Sequence, residues 1–259
     1  MIRNIKELWK YRALVWALVV RHLNARYRGS MLGFVWSFLN PLCLIAVYSL
    51  VFKYYIRFDD VESYTLFLFA GLLAWIWFSS GLLEATGTIC GGGSLVTKAM
   101  FPAHILPTVS VLTNLANFLF ALPLLIGFML INSVMPTYAF FVLPIVIVIE
   151  LVFMLGLSFA LSALNVKYRD VQHILGNIMT LWFFLCPILY PESKVPDQFK
   201  FTLTFNPVAH FTKMYHQIFI EGHVPSLAEF GIVIAFSVVT FFIGNVVFNR
   251  YREEFAELV

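Results

Sequence analysis

Glu150 has the clearest capacity for chemistry, as the one carboxyl about halfway along an apolar stretch from Tyr138 to Leu164. A carboxylate in hydrocarbon costs on the order of several kcal/mol unless it is protonated or paired, so such a residue is a functional candidate by default. No Lys or Arg sits at matching depth in another apolar stretch. Glu150 therefore reads as a neutral acid hydrogen-bonded between helices, with a proton relay as the competing role. The acidic group Asp59, Asp60 and Glu62 has no base or metal partner beside it and reads as a solvated turn. His22, His104, His173, His210, His216 and His223 fall on separate segments or at spacings unsuited to a shared metal. Cys43, Cys90 and Cys186 are an odd number without metal or redox spacing and read as small apolar residues. The chain has no G-x-S-x-G, H-E-x-x-H or C-x-x-C, so no catalytic or metal site is expected on it. Gly91, Gly92 and Gly93 could suggest a phosphate loop, but a Walker A string, G-x-x-x-x-G-K-[ST], does not occur in the sequence. ATP is not bound by that route, and no cofactor is expected on this chain.

Apolar helices must hold these residues. Of 259 residues 61% are hydrophobic and 12% charged, with mean hydropathy +0.86, too little polar material to cover a water-soluble domain of this size. Membrane lipid must cover much of the surface. About 20 apolar residues at about 1.5 Å each cross a hydrocarbon core about 30 Å thick. Six stretches qualify: Val35 to Tyr55, Tyr64 to Leu83, Ile105 to Ile131, Tyr138 to Leu164, Ile174 to Tyr190 and Phe230 to Val247. The expectation is an all-α polytopic membrane protein of six transmembrane helices, and a barrel, with its alternating strands, is excluded. Six spans put both termini on one side. Arg3, Lys6, Lys10, Arg12, Arg21, Arg26, Arg28, Lys98, Lys167, Arg169, Arg250 and Arg252 share that side, whereas Lys53, Arg57, Lys194, Lys200 and Lys213 fall opposite. Both termini are thus expected to be cytoplasmic, and the net charge of +3 reflects topology instead of nucleic-acid binding.

The chain divides into an N-terminal segment, 1–34, a six-helix domain, 35–248, and a tail, 249–259. Ile5 to Leu23 reads as an amphipathic interfacial helix with Trp9 and Trp16 as anchors, and Arg21, Arg26 and Arg28 argue against a signal peptide. In the cytoplasmic loop 86–104, Ser94 caps a short helix over Leu95, Val96, Thr97, Lys98 and Met100, and Pro102 ends it. A knob of that kind suits the grip of a cytoplasmic partner. The external segment 191–229 is too apolar for a linker. From Pro207 to Ile220, Val208, Phe211, Tyr215, Ile218 and Phe219 keep helical spacing, with His210, Lys213, His216 and Gln217 on the other side. Asn206 supplies the cap, Pro207 the first helical position, and Gly222 with Pro225 the end. This amphipathic helix is expected to lie at the external surface or to dip in and return, as a plug between spans or a cover over a pathway.

Aromatic residues make up 17% of the chain and are placed unevenly. Phe34, Phe38, Tyr48, Phe52 and Tyr55 step by three or four along the first span as one stripe, and Trp182, Phe183, Phe184 and Tyr190 concentrate in the fifth. Such rings commonly serve packing or interfacial belts. They also suit a slide for sugars, whose C–H faces stack on rings while their hydroxyls need hydrogen bonds.

Several short strings in order resemble the ABC-2 type membrane subunits that export polysaccharides. They are Arg26-Tyr27-Arg28-Gly29-Ser30-Met31-Leu32-Gly33 leading to Trp36 and Asn40-Pro41; Leu95-Val96-Thr97-Lys98 with Phe101-Pro102 and Leu106-Pro107; Tyr168-Arg169-Asp170-Val171; Pro187-Ile188-Leu189-Tyr190-Pro191; and Asn206-Pro207. The resemblance covers nearly the whole length. It implies a homodimer in a bacterial inner membrane, gripped by two copies of a cytoplasmic ATP-binding subunit that carries the ATP and Mg, with a lipid-linked polysaccharide threading between the two copies. Substrates of this family include O-antigen, capsule and teichoic-acid polymers. By the same resemblance Ser94 to Met100 is a coupling helix, 191–229 holds external gate helices that include Asn206, Pro207, Phe211, Tyr215 and Phe219, and the first and fifth spans line the channel. Ala103-His104 stands where many relatives carry a basic residue after Phe-Pro, so a fixed charge is not expected in that contact. The alternatives are an ABC-2 exporter of drugs or small lipids, a proton-coupled flippase using Glu150, and a membrane-embedded glycosyltransferase or lipid-modifying enzyme.

Overall fold

The computed structural model describes residues 2–55, 63–92 and 102–258, and every regular element among them is helical. The acidic turn at Asp59, Asp60 and Glu62 and the coupling residues Ser94, Leu95, Val96, Thr97, Lys98 and Met100 lie outside the described residues. The helix expected over Ile5 to Leu23 is two helices, α1 (Ile2–Lys10) and α2 (Arg12–Tyr27), meeting at Tyr11. Val15 and Val19 of α2 pack on Ile105 and Val109, while Trp9 and Trp16 remain 74% and 70% exposed, as interfacial anchors require.

Among the described residues, five helices are long and apolar enough to cross a membrane. The first, Gly33–Tyr55, changes pitch twice, from a 3-10 turn (Gly33–Val35) through α3 (Trp36–Ser49) to a π-helix (Leu50–Tyr55). The second, α4 (Tyr64–Gly91), has 28 residues, about 42 Å of helix. It therefore continues well past Leu83, and the loop expected to open at Thr86 starts only after Gly91. α4 is apolar almost all round and 78% of its most apolar window is buried, because neighbours pack on it from every side. Those neighbours are α3, α5 (Ile105–Ile131), α6 (Leu143–Lys167), α7 (Asp170–Phe184) and α9 (Pro207–His216). α10 (Leu227–Tyr251) starts from a capping box, in which Ser226 and Glu229 each satisfy the other's backbone N–H, and lies along α6. The two backbones touch where Gly156 faces Gly244: a Cβ on Gly244 would lie 1.9 Å from the Gly156 carbonyl oxygen.

The expected fifth span takes a different form. α7 has 15 residues, about 22 Å, and stops at Phe184 because Pro187 has no N–H to give the Phe183 carbonyl. Side chains complete the freed backbone groups. Tyr190 donates to the Phe184 carbonyl at 2.7 Å, Asn206 to that of Leu185 at 3.3 Å, and Tyr64 to that of Leu189 at 2.8 Å. Irregular backbone at membrane depth survives only with such partners. After two 3-10 turns and the one-turn helix α8 (Phe201–Thr204), α9 begins as read: Asn206 accepts from the N–H groups of Val208 and Ala209, and Pro207 is the first helical residue. It ends in a π-turn, Gln217–Glu221, closed by Gly222 at φ +70°.

One expectation for α9 is corrected. Its polar side does not face water throughout, since His216 is buried, stacks 3.9 Å from the Phe67 ring and donates to the Phe67 carbonyl. The helix is buried between α4, α6 and α10. Lys213 escapes by bonding Glu229 at 3.2 Å and Glu192 at 3.5 Å. At the opposite end of the bundle Glu7 of α1 lies 3.7 Å from His104 and 3.8 Å from Arg252, so the N-terminal helix and the end of α10 meet at one end of the protein. A short last helix, α11 (Phe255–Leu258), places Phe255 on Phe248.

Candidate functional site

A groove of about 840 Å³ runs between α3, α4 and α7. α3 contributes Asn40, Cys43 and Tyr48, α4 contributes Trp75, Ile76, Ser79 and Ser80, and α7 contributes Gly176, Met179, Thr180 and Phe183. Gly176 keeps the α7 wall low, with nothing within 4 Å of a Cβ placed there. Among the described residues the groove offers flat rings beside hydroxyls and one amide, without a charged residue on its walls. It can stack on apolar faces and exchange hydrogen bonds with hydroxyls, the two contacts a sugar needs.

The aromatic stripe of the first span does not reach this groove as a unit. Tyr48 stacks on Phe183 at 5.9 Å and leads through Phe52 at 6.4 Å to Tyr64 at 6.5 Å. Phe34 and Phe38 pair with each other at 5.3 Å, and Phe34 packs on Phe120 of α5, at the other end of the span. Tyr55 is 73% exposed. The cause is the change of pitch, since a stripe drawn at a constant helical period drifts off line through 3-10, α and π turns. In the fifth segment Phe183 faces the groove, whereas Trp182 turns toward Phe78 at 5.4 Å and donates to Asn206 at 2.9 Å. Tyr190 lines a separate hollow of about 430 Å³ with Lys194 and Phe199. Beside that hollow the Lys200 ammonium, 2.7 Å from Asp197, holds the Asp197 carboxyl below the usual carboxylate range.

The structure brings together two groups that the sequence left apart, for Tyr215 donates to Glu150 at 2.6 Å, with both side chains buried. The bond ties α9 to α6. Around it Phe211 packs on Phe153 at 5.8 Å, and Phe219 packs on Tyr215 at 6.0 Å and on Phe140 at 5.3 Å. Asn206, Phe211, Tyr215 and Phe219 are thus buried along this segment, with Pro207 partly buried at its start. Tyr215 carried a signal as a phenol on the apolar side of its helix, because a buried phenol needs an acceptor.

A second polar cluster was not legible at all. Arg26 of α2 bonds Glu84 of α4 at 2.5 Å and Asn114 of α5 at 3.3 Å, and Asn114 donates to Glu84 at 2.6 Å and to the Ser110 carbonyl at 2.9 Å. Glu84 was hidden because it lies one residue beyond the apolar stretch that ends at Leu83. With side chains about one-third exposed, the ion pair is worth less than a buried one. We expect Glu84→Ala to lower stability by about 1–2 kcal/mol, and a double-mutant cycle with Arg26→Ala to return a coupling of about 1 kcal/mol. Thermal unfolding of the four purified proteins measures both, and a coupling near zero would show that the pair does not hold α2 to the bundle.

Residues 13–220 match the family model described as ABC-2 type transporter. The chain is 42% identical, over the full length of both, to the O-antigen export system permease protein RfbA of Myxococcus xanthus. It is 28% identical to an O-antigen export system permease protein RfbA of Klebsiella pneumoniae, covering 92% of each chain. It is also 22% identical to the polysialic acid transport protein KpsM of Escherichia coli, covering 94% of this chain and 95% of that one.

Proposed function

This chain belongs to the ABC-2 type transporter family, and on that ground we propose that it is the membrane permease of an exporter that carries an O-antigen or capsular polysaccharide across a bacterial inner membrane. The observation that carries the reading is the full-length similarity to an O-antigen export permease. The groove between α3, α4 and α7 supports it, because rings and hydroxyls without charge fit a passing glycan. ATP is hydrolysed on a separate cytoplasmic subunit, two copies of which grip the segment Ser94 to Met100.

An even number of crossings, six, with both termini on one side is supported by the meeting of Glu7, His104 and Arg252 at one end, and the cytoplasmic side by the Lys and Arg that gather there. Five long helices alone would leave the termini on opposite sides, so α7 together with the turn to Leu189 acts as the remaining crossing. Leu44 and Val47 on α3 and Ile178 and Leu181 on α7 are exposed apolar residues on the two helices that flank the groove. They give a second copy of the chain a face to cover, which would close the groove into a conduit. The segment from Asn206 to Phe219 would then gate its external end.

The test is deletion of the gene from its strain and complementation with the wild-type sequence, with surface polysaccharide measured by gel and by antibody. Loss to background on deletion and recovery on complementation are expected. In parallel, the chain is purified with the ATPase encoded beside it. Hydrolysis stimulated by lipid-linked glycan supports the reading. Stimulation by small amphiphiles alone would move it to a drug or small-lipid exporter, and unchanged surface polysaccharide on deletion would sink it.

A further inference from the structure

On the far side of α3 from the α7 wall lies a second cavity, of about 580 Å³, between the start of the first span, α4 and α5. This size is within the range of small-molecule sites. Arg26 and Asn114 line it, and the Arg26 guanidinium is already neutralised from behind by the Glu84 carboxylate, which also accepts from Asn114. Uncharged polar side chains, Ser37, Ser80, Asn114 and Asn117, alternate on its walls with Trp77 and Phe118, whose rings stack at 5.0 Å. Trp36 at the rim is fixed by donating to Ser30 at 3.0 Å. The indole N–H of Trp77, on a residue 1% exposed, has no acceptor among the described residues.

We propose that this cavity is a binding site for a neutral glycosyl unit of the transported glycan, held beside the conduit before or during passage. The proposal rests on the exporter reading and deepens it. Charge argues for the class of ligand: with Arg26 paired to Glu84 the cavity has, among the described residues, no free cation for a phosphate, yet too many amides and hydroxyls for an acyl chain. Position argues for the role. Asn40, Ile76 and Ser80 line both this cavity and the groove between α3, α4 and α7, so the two spaces adjoin where α3 crosses α4. A sugar leaving the cavity enters the groove past an amide and a hydroxyl that can keep its hydrogen bonds. A recessed site with rings and amides in fixed places also holds a sugar at lower ordering cost than a flat surface.

The experiment uses the full chain in phospholipid nanodiscs and equilibrium dialysis. The probe is a labelled set of short neutral oligosaccharides released from the strain's own surface polysaccharide. Asn117→Leu and Ser37→Leu alter the cavity alone, and Thr180→Val alters the groove alone. We expect saturable binding that weakens about tenfold in each cavity variant, the loss of one good hydrogen-bonding group, and stays within twofold in Thr180→Val. Each variant is first required to elute as a folded single species, and two cavity variants guard against one that misfolds. No saturable binding, equal loss in Thr180→Val, or binding only of a glycolipid placed in the nanodisc or only of inorganic phosphate would overturn the site. Because deletion and complementation test export independently, a strain that needs the chain for surface polysaccharide while the cavity binds nothing would overturn this site and leave the exporter reading standing.

Discussion

Gly244→Ala is expected to cost more than about 3 kcal/mol, and Gly244→Leu to abolish the folded protein. An added Cβ would lie 1.9 Å from the carbonyl oxygen of Gly156 and 2.7 Å from its carbon, both backbone atoms that no rotamer change can move. From the other side, a Cβ on Gly156 would meet the Phe241 backbone nitrogen at 2.5 Å. In lipid, helix association depends on such close packing of small residues. α6 and α10 would have to separate, losing the approach of the Ser237 hydroxyl, 3.0 Å from the Ile149 carbonyl. Gly231→Ala on the same helix is the control, since nothing lies within 4 Å of its Cβ, and it should be neutral or stabilising by up to about 1 kcal/mol. Fluorescence-detected size-exclusion chromatography and melting in detergent measure the three variants. A folded Gly244→Leu protein with the melting temperature of the wild type would refute the backbone contact.

Glu150→Ala should be the second most damaging change, and Glu150→Gln should be mild. Alanine removes the acceptor of the Tyr215 hydroxyl at the centre of the α6–α9 contact. That leaves a buried donor unpaired at about 1–3 kcal/mol, with a further penalty for the void. Glutamine keeps a carbonyl oxygen in the same place and brings no charge. Because α9 is buried among its neighbours and Tyr215 ties it to α6, Glu150→Ala should also displace α9 and reduce export at least fivefold, while Glu150→Gln stays within twofold. Tyr215→Phe combined with Glu150→Leu should be milder than Glu150→Leu alone, since it removes the orphaned hydroxyl. Export and melting temperature of the set decide the matter. Loss of export in Glu150→Gln with stability and ATPase coupling intact would favour the proton-coupled flippase in place of the hydrogen-bonded acid.

Much of the architecture was legible because apolar length is a one-dimensional property. The stretch from Ile105 to Ile131 is the helix α5 from end to end. Asn206, Pro207 and Gly222 were legible for a different reason, since caps and turns depend on the chemistry of single residues, and all three do in the structure what their types demand. Boundaries were less legible. α4 passes through Glu84 to Gly91 because a helix wrapped by neighbours can carry polar residues beyond the hydrocarbon, and hydropathy alone ends it at Leu83. α7 is shorter than its apolar run because the proline near its end withdraws an N–H, and a phenol and an amide from later segments complete the backbone in its place.

The candidate site was legible in its ingredients and hidden in its assembly. Tyr48 and Phe183 lie more than a hundred residues apart and meet across the groove. Phe34, Tyr55 and Tyr190, chosen by the same spacing or concentration, point elsewhere. The difference lies in helix pitch and in which helix packs alongside.

The sequence by itself determined that this chain is helical, that lipid must cover it, and which strings make it similar to polysaccharide permeases, because composition, apolar length and local motifs survive without a third dimension. The tertiary structure alone decided that Tyr215 answers Glu150, that Arg26 answers Glu84 through Asn114, and that α6 and α10 touch at two glycines. Each of those contacts depends on the rotation and crossing of helices far apart in the chain, which packing settles and spacing along one helix cannot.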